Sequence, residues 1–237
     1  MIALPRYAMV LAAGLATRLR PLTLDRPKAL VSVGGKTLID RTLDRLAHSG
    51  ITHAVVNVHY KGNSLRQHLA RRKHPQIHVS DETDAILETG GGVARALPLL
   101  QSAPFFVVNC DIVWRDSYGD SLQDLARRWE DERMDALLLM HPTVSAVGYS
   151  GVGDFFMEPD GRLRRRPESF VAPFVFTGVQ LLHPRLFNNV PAGPFSLNLL
   201  YDRAAEAGRL FGWRHEGEWM DVGTPAGLRE AEMALAR

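Results

Sequence analysis

The chain has 237 residues, of which 46% are hydrophobic and 23% charged, and its formal net charge is +2. This composition excludes intrinsic disorder, which needs few apolar residues and a large net charge, and the length suits one large or two small domains. The single cysteine, Cys110, excludes an internal disulfide framework. No apolar run approaches the roughly 20 residues that span a membrane, and Met1–Arg6 lacks the regions of a signal peptide. We therefore expect a cytoplasmic protein with no membrane partner.

Short apolar runs alternate with helical periodicity through the first half of the chain. In order, we predict a strand at Tyr7–Leu11, a helix over Leu38–Ala47 that stops at Gly50, a strand at His53–His59, a helix at Leu65–Arg71, a loop containing Glu88–Gly92, a helix at Val93–Leu100, a strand at Phe105–Asn109, a helix at Leu122–Trp129 and a strand at Ala136–Met140. This order predicts a Rossmann-like α/β fold, with a mixed, mostly parallel sheet flanked by helices. The near-continuous apolar strands agree, because parallel strands are buried on both faces.

The second half has a different pattern. Two short strands, Asp154–Glu158 and Arg162–Leu163, are joined by a turn, and they precede a strand at Phe174–Leu182 and helices at Leu197–Ala207 and Pro225–Ala236. We expect one domain over 1–237, made of two parts whose boundary lies approximately at residue 142. The basic run Arg162–Arg166 is interpreted as a solvated loop, because the net charge is small and no nucleic-acid module is present. No nucleic-acid partner is expected.

Three polar or glycine-rich segments follow predicted strand ends, where open parallel sheets bind ligands. They are Ala12–Lys28, Glu88–Gly92 and Asn109–Asp111. Small residues let backbone N–H groups approach a phosphate, and Arg18 and Lys28 add positive charge. The first segment matches neither a Walker A loop nor GxGxxG. Taken alone, it is more typical of a strand-to-loop turn with surface cations than of a phosphate site.

The longer pattern resembles a known family. LAAG-x-x-T-R-L-x-P-L-T from Leu11, then Pro27-Lys28 and V-x-G-K-T-L-I-D from Val33, is similar to the signature of sugar-1-phosphate nucleotidyltransferases. The resemblance continues at Glu88–Gly92, Asn109–Asp111, Phe176–Gly178 and Trp219–Thr224, so it spans nearly the whole chain. Within the family, the short length, the ETGGG segment, Gly153-Asp154-Phe155 and the W-x-D-V-G-T ending are most similar to N-acetylmuramate-1-phosphate uridylyltransferases of peptidoglycan recycling.

The resemblance implies a reaction and its partners. A nucleotidyl group would pass from a nucleoside triphosphate, with UTP favoured, to a sugar 1-phosphate, with N-acetylmuramate 1-phosphate favoured. Pyrophosphate would leave, Mg²⁺ would assist, and the protein would be a monomer or small homo-oligomer. One alternative is a guanylyl- or cytidylyltransferase acting on mannose 1-phosphate, heptose 1-phosphate or phosphocholine. Another is a catalytically silent nucleotide-binding module, against which the charged residues Arg18, Lys28, Asp111 and Asp221 argue.

The same resemblance implies residue roles, with 1–141 as the nucleotide-binding part and 142–237 as the sugar-binding part. Asp111 and Asp221 would hold Mg²⁺, as hard carboxylate oxygens suit that ion, and Arg18, Lys28 and Asp111 would be catalytic. The nucleotide would be bound by Ala12, Ala13, Gly14, Ala16, Thr17, Arg18, Lys28, Glu88 and Gly91. The sugar would be bound by Asn109, Asp154, Thr177 and Gly178. Ala16 and Cys110 stand where the family commonly has glycine, and the methyl group of Ala16 is expected to restrict its φ.

Overall fold

The computed structural model describes residues 2–101 and 103–237 of the chain. Its strands are β1 (Tyr7–Leu11), β2 (Ser32–Val33), β3 (Lys36–Thr37), β4 (His53–Val58), β5 (Gln76–Asp81), β6 (Phe105–Asn109), β7 (Ile112–Arg115), β8 (Ala136–Pro142), β9 (Phe155–Met157), β10 (Leu163–Arg165), β11 (Phe174–Leu182), β12 (Leu210–Arg214) and β13 (Glu218–Asp221). Its α-helices are α1 (Leu38–Ser49), α2 (Gly62–Leu69), α3 (Glu88–Leu100), α4 (Ser121–Arg128), α5 (Leu197–Glu206) and α6 (Pro225–Leu235).

A mixed sheet runs through the centre of the described chain. Strands β6, β1, β4 and β5 are neighbours in that order, and all three pairings are parallel. Strand β11 pairs antiparallel with both β6 and β8, and β12 pairs parallel with β8. The hairpin of β9 and β10 continues from the start of β11. The predicted fold class, a mostly parallel sheet flanked by helices, is confirmed.

Apolar clusters cover both faces of this sheet. Successive residues of β1 show why the strand is apolar throughout: Ala8 and Val10 pack into the cluster that includes residues of α1, α2 and α4, whereas Met9 packs into the cluster with residues of α3 and α5. All three are fully buried, as alternation across a doubly covered sheet requires.

No helix within the described residues has both the length and the apolar character that crossing a bilayer requires.

A small second sheet brings the C-terminal part of the chain to the end of β6. Strand β13 pairs antiparallel with β7, and Asp221 lies opposite Ile112. Because Ile112 directly follows Asp111, this pairing places two aspartates side by side that are 110 residues apart in sequence.

Most predicted elements occur within a few residues of their expected bounds, but two differences matter. The sequence interpretation missed the strands β5, β7, β12 and β13 and the two-residue strands β2 and β3. Strand β5 is a sheet edge whose residues are mostly exposed or half-buried, so it lacks a continuous apolar run. The second difference is that α3 begins at Glu88, so the predicted glycine loop is wrong: Gly90, Gly91 and Gly92 lie in the first turns of a helix.

Candidate active site

A cavity of about 210 Å³ opens beyond the carboxyl ends of β1, β4 and β6. It is lined by Leu11, Ala12, Ala13, Gly14, Lys28, Asn57, Glu82, Ile86, Glu88, Thr89, Asn109 and Asp111. All three segments singled out from the sequence therefore meet here, at the place where an open parallel sheet binds ligands. Asn57, Glu82 and Ile86 lie outside those segments and were missed by the sequence interpretation.

A buried polar chain holds one wall of this cavity. The backbone N–H of Ala12 donates to Asn57 Oδ1 over 2.6 Å, and Asn57 Nδ2 donates to Glu82 Oε1 over 2.8 Å. Glu82 is only 1% exposed, and burial raises the pKa of its carboxyl group despite the Asn57 hydrogen bond. An asparagine inside the apolar run HAVVNVH was the sequence signal for this wall, since buried amides need partners.

The loop after β1 is the segment that the sequence predicts to bind phosphate. Ala16 has φ +53° and ψ +38°, the left-handed conformation, which costs a non-glycine residue about 1–2 kcal/mol. Its carbonyl accepts a hydrogen bond from Thr23 Oγ1 over 2.9 Å, which helps to fix the conformation. The methyl group therefore does not prevent the loop geometry. Thr17 and Arg18 follow in a single 3₁₀ turn, and both are exposed.

Four charged side chains converge beside the cavity. Lys28 Nζ lies 2.7 Å from Asp111 Oδ2. A Cβ atom placed on Gly223 would lie 2.8 Å from Asp221 Oδ1, 3.3 Å from Arg18 Nη2 and 3.6 Å from Lys28 Nζ. Gly223 thus leaves the space in which these charges approach each other, and its N–H donates to Asp221 Oδ1 over 2.8 Å.

The two aspartates form a donor set that suits a magnesium ion. One oxygen of each is engaged, by Lys28 for Asp111 and by the Gly223 N–H for Asp221, and within the described residues the other oxygen of each accepts no hydrogen bond. No third histidine, cysteine or acidic side chain of the described chain joins them in a metal-binding group. Mg²⁺ characteristically takes one or two protein carboxylates and completes its shell with phosphate and water. The residues present therefore fit that ion.

The ETGGG segment has a structural reason for its glycines. The N–H groups of Gly90 and Gly91 donate to the carbonyl of Phe195 over 2.8 and 3.1 Å. A Cβ atom on Gly91 would lie 2.5 Å from the carbonyl oxygen of Gly193. The structure brings Gly91 against this chain segment rather than into the cavity. Glu88, with φ +58°, does line the cavity.

On the acceptor side, Gly178 and Asn109 are in contact. A Cβ atom on Gly178 would lie 3.0 Å from Cβ of Asn109. Gly178 has φ +86° within β11, where the register with β8 shifts, so both its backbone conformation and this close contact require glycine. Thr177 is fully buried, and its Oγ1 donates to the carbonyl of Leu139 over 2.8 Å. The Thr177 side chain thus belongs to the core and does not face the cavity.

Asp154 lies in a second cavity, also of about 210 Å³. Its Oδ2 accepts a hydrogen bond from the Phe176 N–H over 2.8 Å, and burial raises the pKa of its carboxyl group. Arg165 and Arg166 line the same cavity and are half-buried. The interpretation of Arg162–Arg166 as a solvated loop is therefore wrong for these two arginines.

Cys110 lies beside this chemistry without entering it. Its side chain is buried in the apolar cluster beneath the sheet. Burial, with a contribution from the Asp111 charge, raises the pKa of the thiol to about 12. A thiol in this state is not a nucleophile near neutral pH.

The cavity lies at the strand ends, and cations and carboxylates converge beside it. This arrangement is expected of an enzyme that transfers a phosphate-containing group. The family model "Nucleotidyl transferase" matches residues 7–237. The chain belongs to this family, and the predicted enzyme class, nucleotidyltransferase, is confirmed.

Two relatives are similar to this chain over nearly their whole length, and a third over part of its length. The chain is 46% identical to N-acetylmuramate alpha-1-phosphate uridylyltransferase of Caulobacter vibrioides over 236 residues, which covers 98% of both proteins. It is 34% identical to the enzyme of the same name from Neisseria meningitidis serogroup B, with 97% of each covered. Mannose-1-phosphate guanyltransferase beta-B of Xenopus laevis is 29% identical, and the match covers 92% of this chain and 61% of that protein.

The fold also matches solved structures. UDP-glucose pyrophosphorylase in complex with UDP-glucose superposes with a TM-score of 0.79 and covers 100% of this chain and 99% of its own. The identity is 17%, so this likeness concerns the fold.

Proposed function

We propose that this enzyme transfers UMP from UTP to the phosphate of N-acetylmuramate 1-phosphate and releases pyrophosphate, as a cytoplasmic step of peptidoglycan recycling. The observation that carries the proposal is the meeting of Lys28, Arg18, Asp111 and Asp221 beside one cavity. The end-to-end similarity to two uridylyltransferases of that name supports the choice of donor and acceptor.

The acceptor needs no protein base in this reaction. A phosphate monoester is largely dianionic at neutral pH, because its second pKa is about 6. One of its oxygens attacks the α-phosphorus of UTP, a new P–O bond forms, and the bond from the α-phosphorus to the bridging oxygen breaks as pyrophosphate leaves. The obstacle is repulsion between two anions. Catalysis therefore consists of positioning and of charge neutralisation.

The cations have separate tasks in this proposal. Lys28 is half-buried and already fixed by Asp111, so it would stabilise charge at the α-phosphate with little reorganisation. Arg18 is exposed on the loop after β1, where its planar fork suits the triphosphate and the departing pyrophosphate. The backbone of Ala12, Ala13, Gly14, Ala16 and Thr17 would surround the nucleotide, and Glu88, which lines the cavity, would contact it.

Magnesium would be held by Asp111 and Asp221. When bound, Mg²⁺ supplies positive charge to the phosphate oxygens of the donor and acceptor. The β7–β13 pairing brings the two aspartates near each other, and the Gly223 N–H orients the Asp221 carboxylate. Asn109 and Gly178 would contact the acceptor sugar from the other side of the cavity, and Asp154 would accept a hydrogen bond from it.

The test is pyrophosphate release with Mg²⁺ from UTP, GTP, CTP and dTTP, each with N-acetylmuramate, mannose or glucose 1-phosphate. Release only with UTP and N-acetylmuramate 1-phosphate supports the proposal. Release with GTP and mannose 1-phosphate would instead assign the guanylyltransferase reaction. Asp111→Asn should abolish most turnover, whereas Asp25→Asn, an exposed aspartate of the first loop, serves as the matched control.

A further inference from the structure

The cavity that contains Asp154 adjoins the proposed acceptor site, and Asp154 is the one residue of its lining that the proposed reaction uses so far. Phe176, whose N–H orients Asp154, lies two residues before Gly178 on β11, or roughly 7 Å along an extended strand. Gly178 contacts Asn109, which lines the first cavity together with Asp111. A sugar ring with its 1-phosphate near Asp111 would therefore direct its far substituents toward Asp154.

One arginine in this second cavity has unused hydrogen-bond donors. Arg165 donates to both oxygens of Asp202 through the same nitrogen, Nη1, over 2.8 and 2.7 Å. A guanidinium has five N–H groups. Within the described residues, neither Nε nor Nη2 of Arg165 makes a hydrogen bond. The edge formed by Nε and Nη2 is thus available, and it is a geometry that binds a carboxylate through two parallel hydrogen bonds.

The neighbouring arginines, Arg164 and Arg166, make different contacts from those of Arg165. Arg166 donates to the carbonyls of Gly153, Pro167, Glu168 and Phe170 and so holds the loop in place. Arg164 is 61% exposed and lies over the ring of Phe156, outside the cavity. Asp202 orients Arg165 while its own side chain remains 47% exposed.

The proposed acceptor carries a group that matches this edge. N-acetylmuramate differs from N-acetylglucosamine by a lactyl ether, and that ether ends in a carboxylate. Mannose 1-phosphate and glucose 1-phosphate have no carboxylate. Asp154 and Asp202 balance the charges of Arg165 and Arg166, so the sugar carboxylate is bound by the free N–H groups of Arg165 and not by an excess of positive charge.

We propose that Arg165, held by Asp202, forms a subsite for the carboxylate substituent of the acceptor sugar. The subsite selects acidic sugar 1-phosphates over neutral ones, and it rests on the proposed function. Asp154 lies next to it and accepts a hydrogen bond from a hydroxyl or amide of the same sugar. Arg165 acts on acceptor choice and does not take part in bond making.

The test compares two acceptors that differ only by the lactyl ether, N-acetylmuramate 1-phosphate and N-acetylglucosamine 1-phosphate, with UTP fixed. Arg165→Gln should lower kcat/KM for the first about 10- to 100-fold, the range of a charged hydrogen-bonded pair, and leave the second near its wild-type value. Arg165→Lys should fall between, because it keeps the charge and loses the fork. Arg164→Gln, the neighbouring exposed arginine, should leave both values unchanged.

Each other outcome has a distinct meaning. If Arg165→Gln retains the wild-type preference for N-acetylmuramate 1-phosphate, the subsite is refuted and the proposed function stands. An equal loss with both acceptors would also refute it, since Arg165 would then support the site generally. If the wild-type enzyme does not use N-acetylmuramate 1-phosphate, the proposed function fails and the subsite with it. Should Arg165→Gln not fold, the Arg165→Gln/Asp202→Asn double variant removes both charges of the pair and is judged by the same acceptor ratio.

Discussion

Replacing Lys28 with methionine tests the charged cluster most directly. The substitution keeps most of the aliphatic stem and removes the ammonium group, which lies 2.7 Å from Asp111 Oδ2. The Lys28 side chain is 12% exposed and that of Asp111 is 34% exposed. Asp111 therefore keeps access to water after its partner is lost, and we expect the free energy of unfolding to fall by no more than about 1 kcal/mol.

The expected effect on catalysis is larger. Two unit charges 4 Å apart interact by about 4 kcal/mol at an effective dielectric constant of 20. Part of this energy is already present in the bound ground state, and about 1.4 kcal/mol corresponds to a factor of ten in rate. We therefore expect kcat/KM for UTP to fall about 10²- to 10³-fold, mostly through kcat, as for other single preorganised donors.

The assay is steady-state pyrophosphate release at saturating Mg²⁺ and acceptor, with UTP varied. Lys36→Met is the matched control, because Lys36 is 49% exposed and pairs with Asp44 on α1, away from the cavity. The control should retain wild-type kinetics. A loss in Lys28→Met that appeared only in KM would show that Lys28 binds the ground and transition states equally, and near-wild-type kcat/KM would refute its assignment altogether.

Three further predictions address the rest of the site and the fold. Gly90→Ala should lower the free energy of unfolding by about 1–3 kcal/mol in urea denaturation, because the new Cβ would lie 2.8 Å from the Phe195 carbonyl oxygen. Gly14→Ala, with nothing within 4 Å, should change it little; equal effects would contradict the packing explanation. Asp111→Asn should raise the Mg²⁺ concentration needed for half-maximal turnover, and an unchanged requirement would remove Asp111 from the metal site. His141 is 2% exposed, and burial lowers the pKa of its imidazole. Because the folded protein favours the neutral ring, the stabilisation by His141 is complete above the unfolded-state pKa of about 6.5 and declines as the pH falls below that value. His141→Phe should therefore flatten the Tm profile between about pH 7 and 5, whereas parallel profiles would show that another group titrates.

The sequence was sufficient for the fold class because the strands that matter most are apolar on both faces. In β1 every residue from Ala8 to Val10 is fully buried, so the strand appears as a continuous apolar run. Strand β5 escaped notice because its edge position leaves Gln76 and Asp81 exposed. Strands β7 and β13 escaped because each has only four residues, and their stability comes from pairing with each other.

Site residues could be predicted where they belong to a contiguous motif. They could not be predicted where contacts between distant segments determine what a residue touches. Both ends of the loop, Ala12–Gly14 and Lys28, meet Asn109 and Asp111 at the cavity, whereas Ala16, Thr17 and Arg18 do not line it. Gly91 was assigned to a ligand, but its neighbour is the backbone of Gly193. That contact joins segments about a hundred residues apart, and local periodicity carries no information about it.

The same reasoning explains why the second part of the chain is inseparable from the chemistry of the first. Lys28 and Asp111 come from the parallel half of the fold, but the second carboxylate, Asp221, reaches them only through the pairing of β13 with β7. Strand β11 likewise pairs with β6 and brings Gly178 against Asn109. Residues 1–141 and 142–237 thus both contribute side chains to the proposed site. The assignment of nucleotide to one part and sugar to the other stays a prediction, and the acceptor preference of Arg165 variants tests its sugar-binding half.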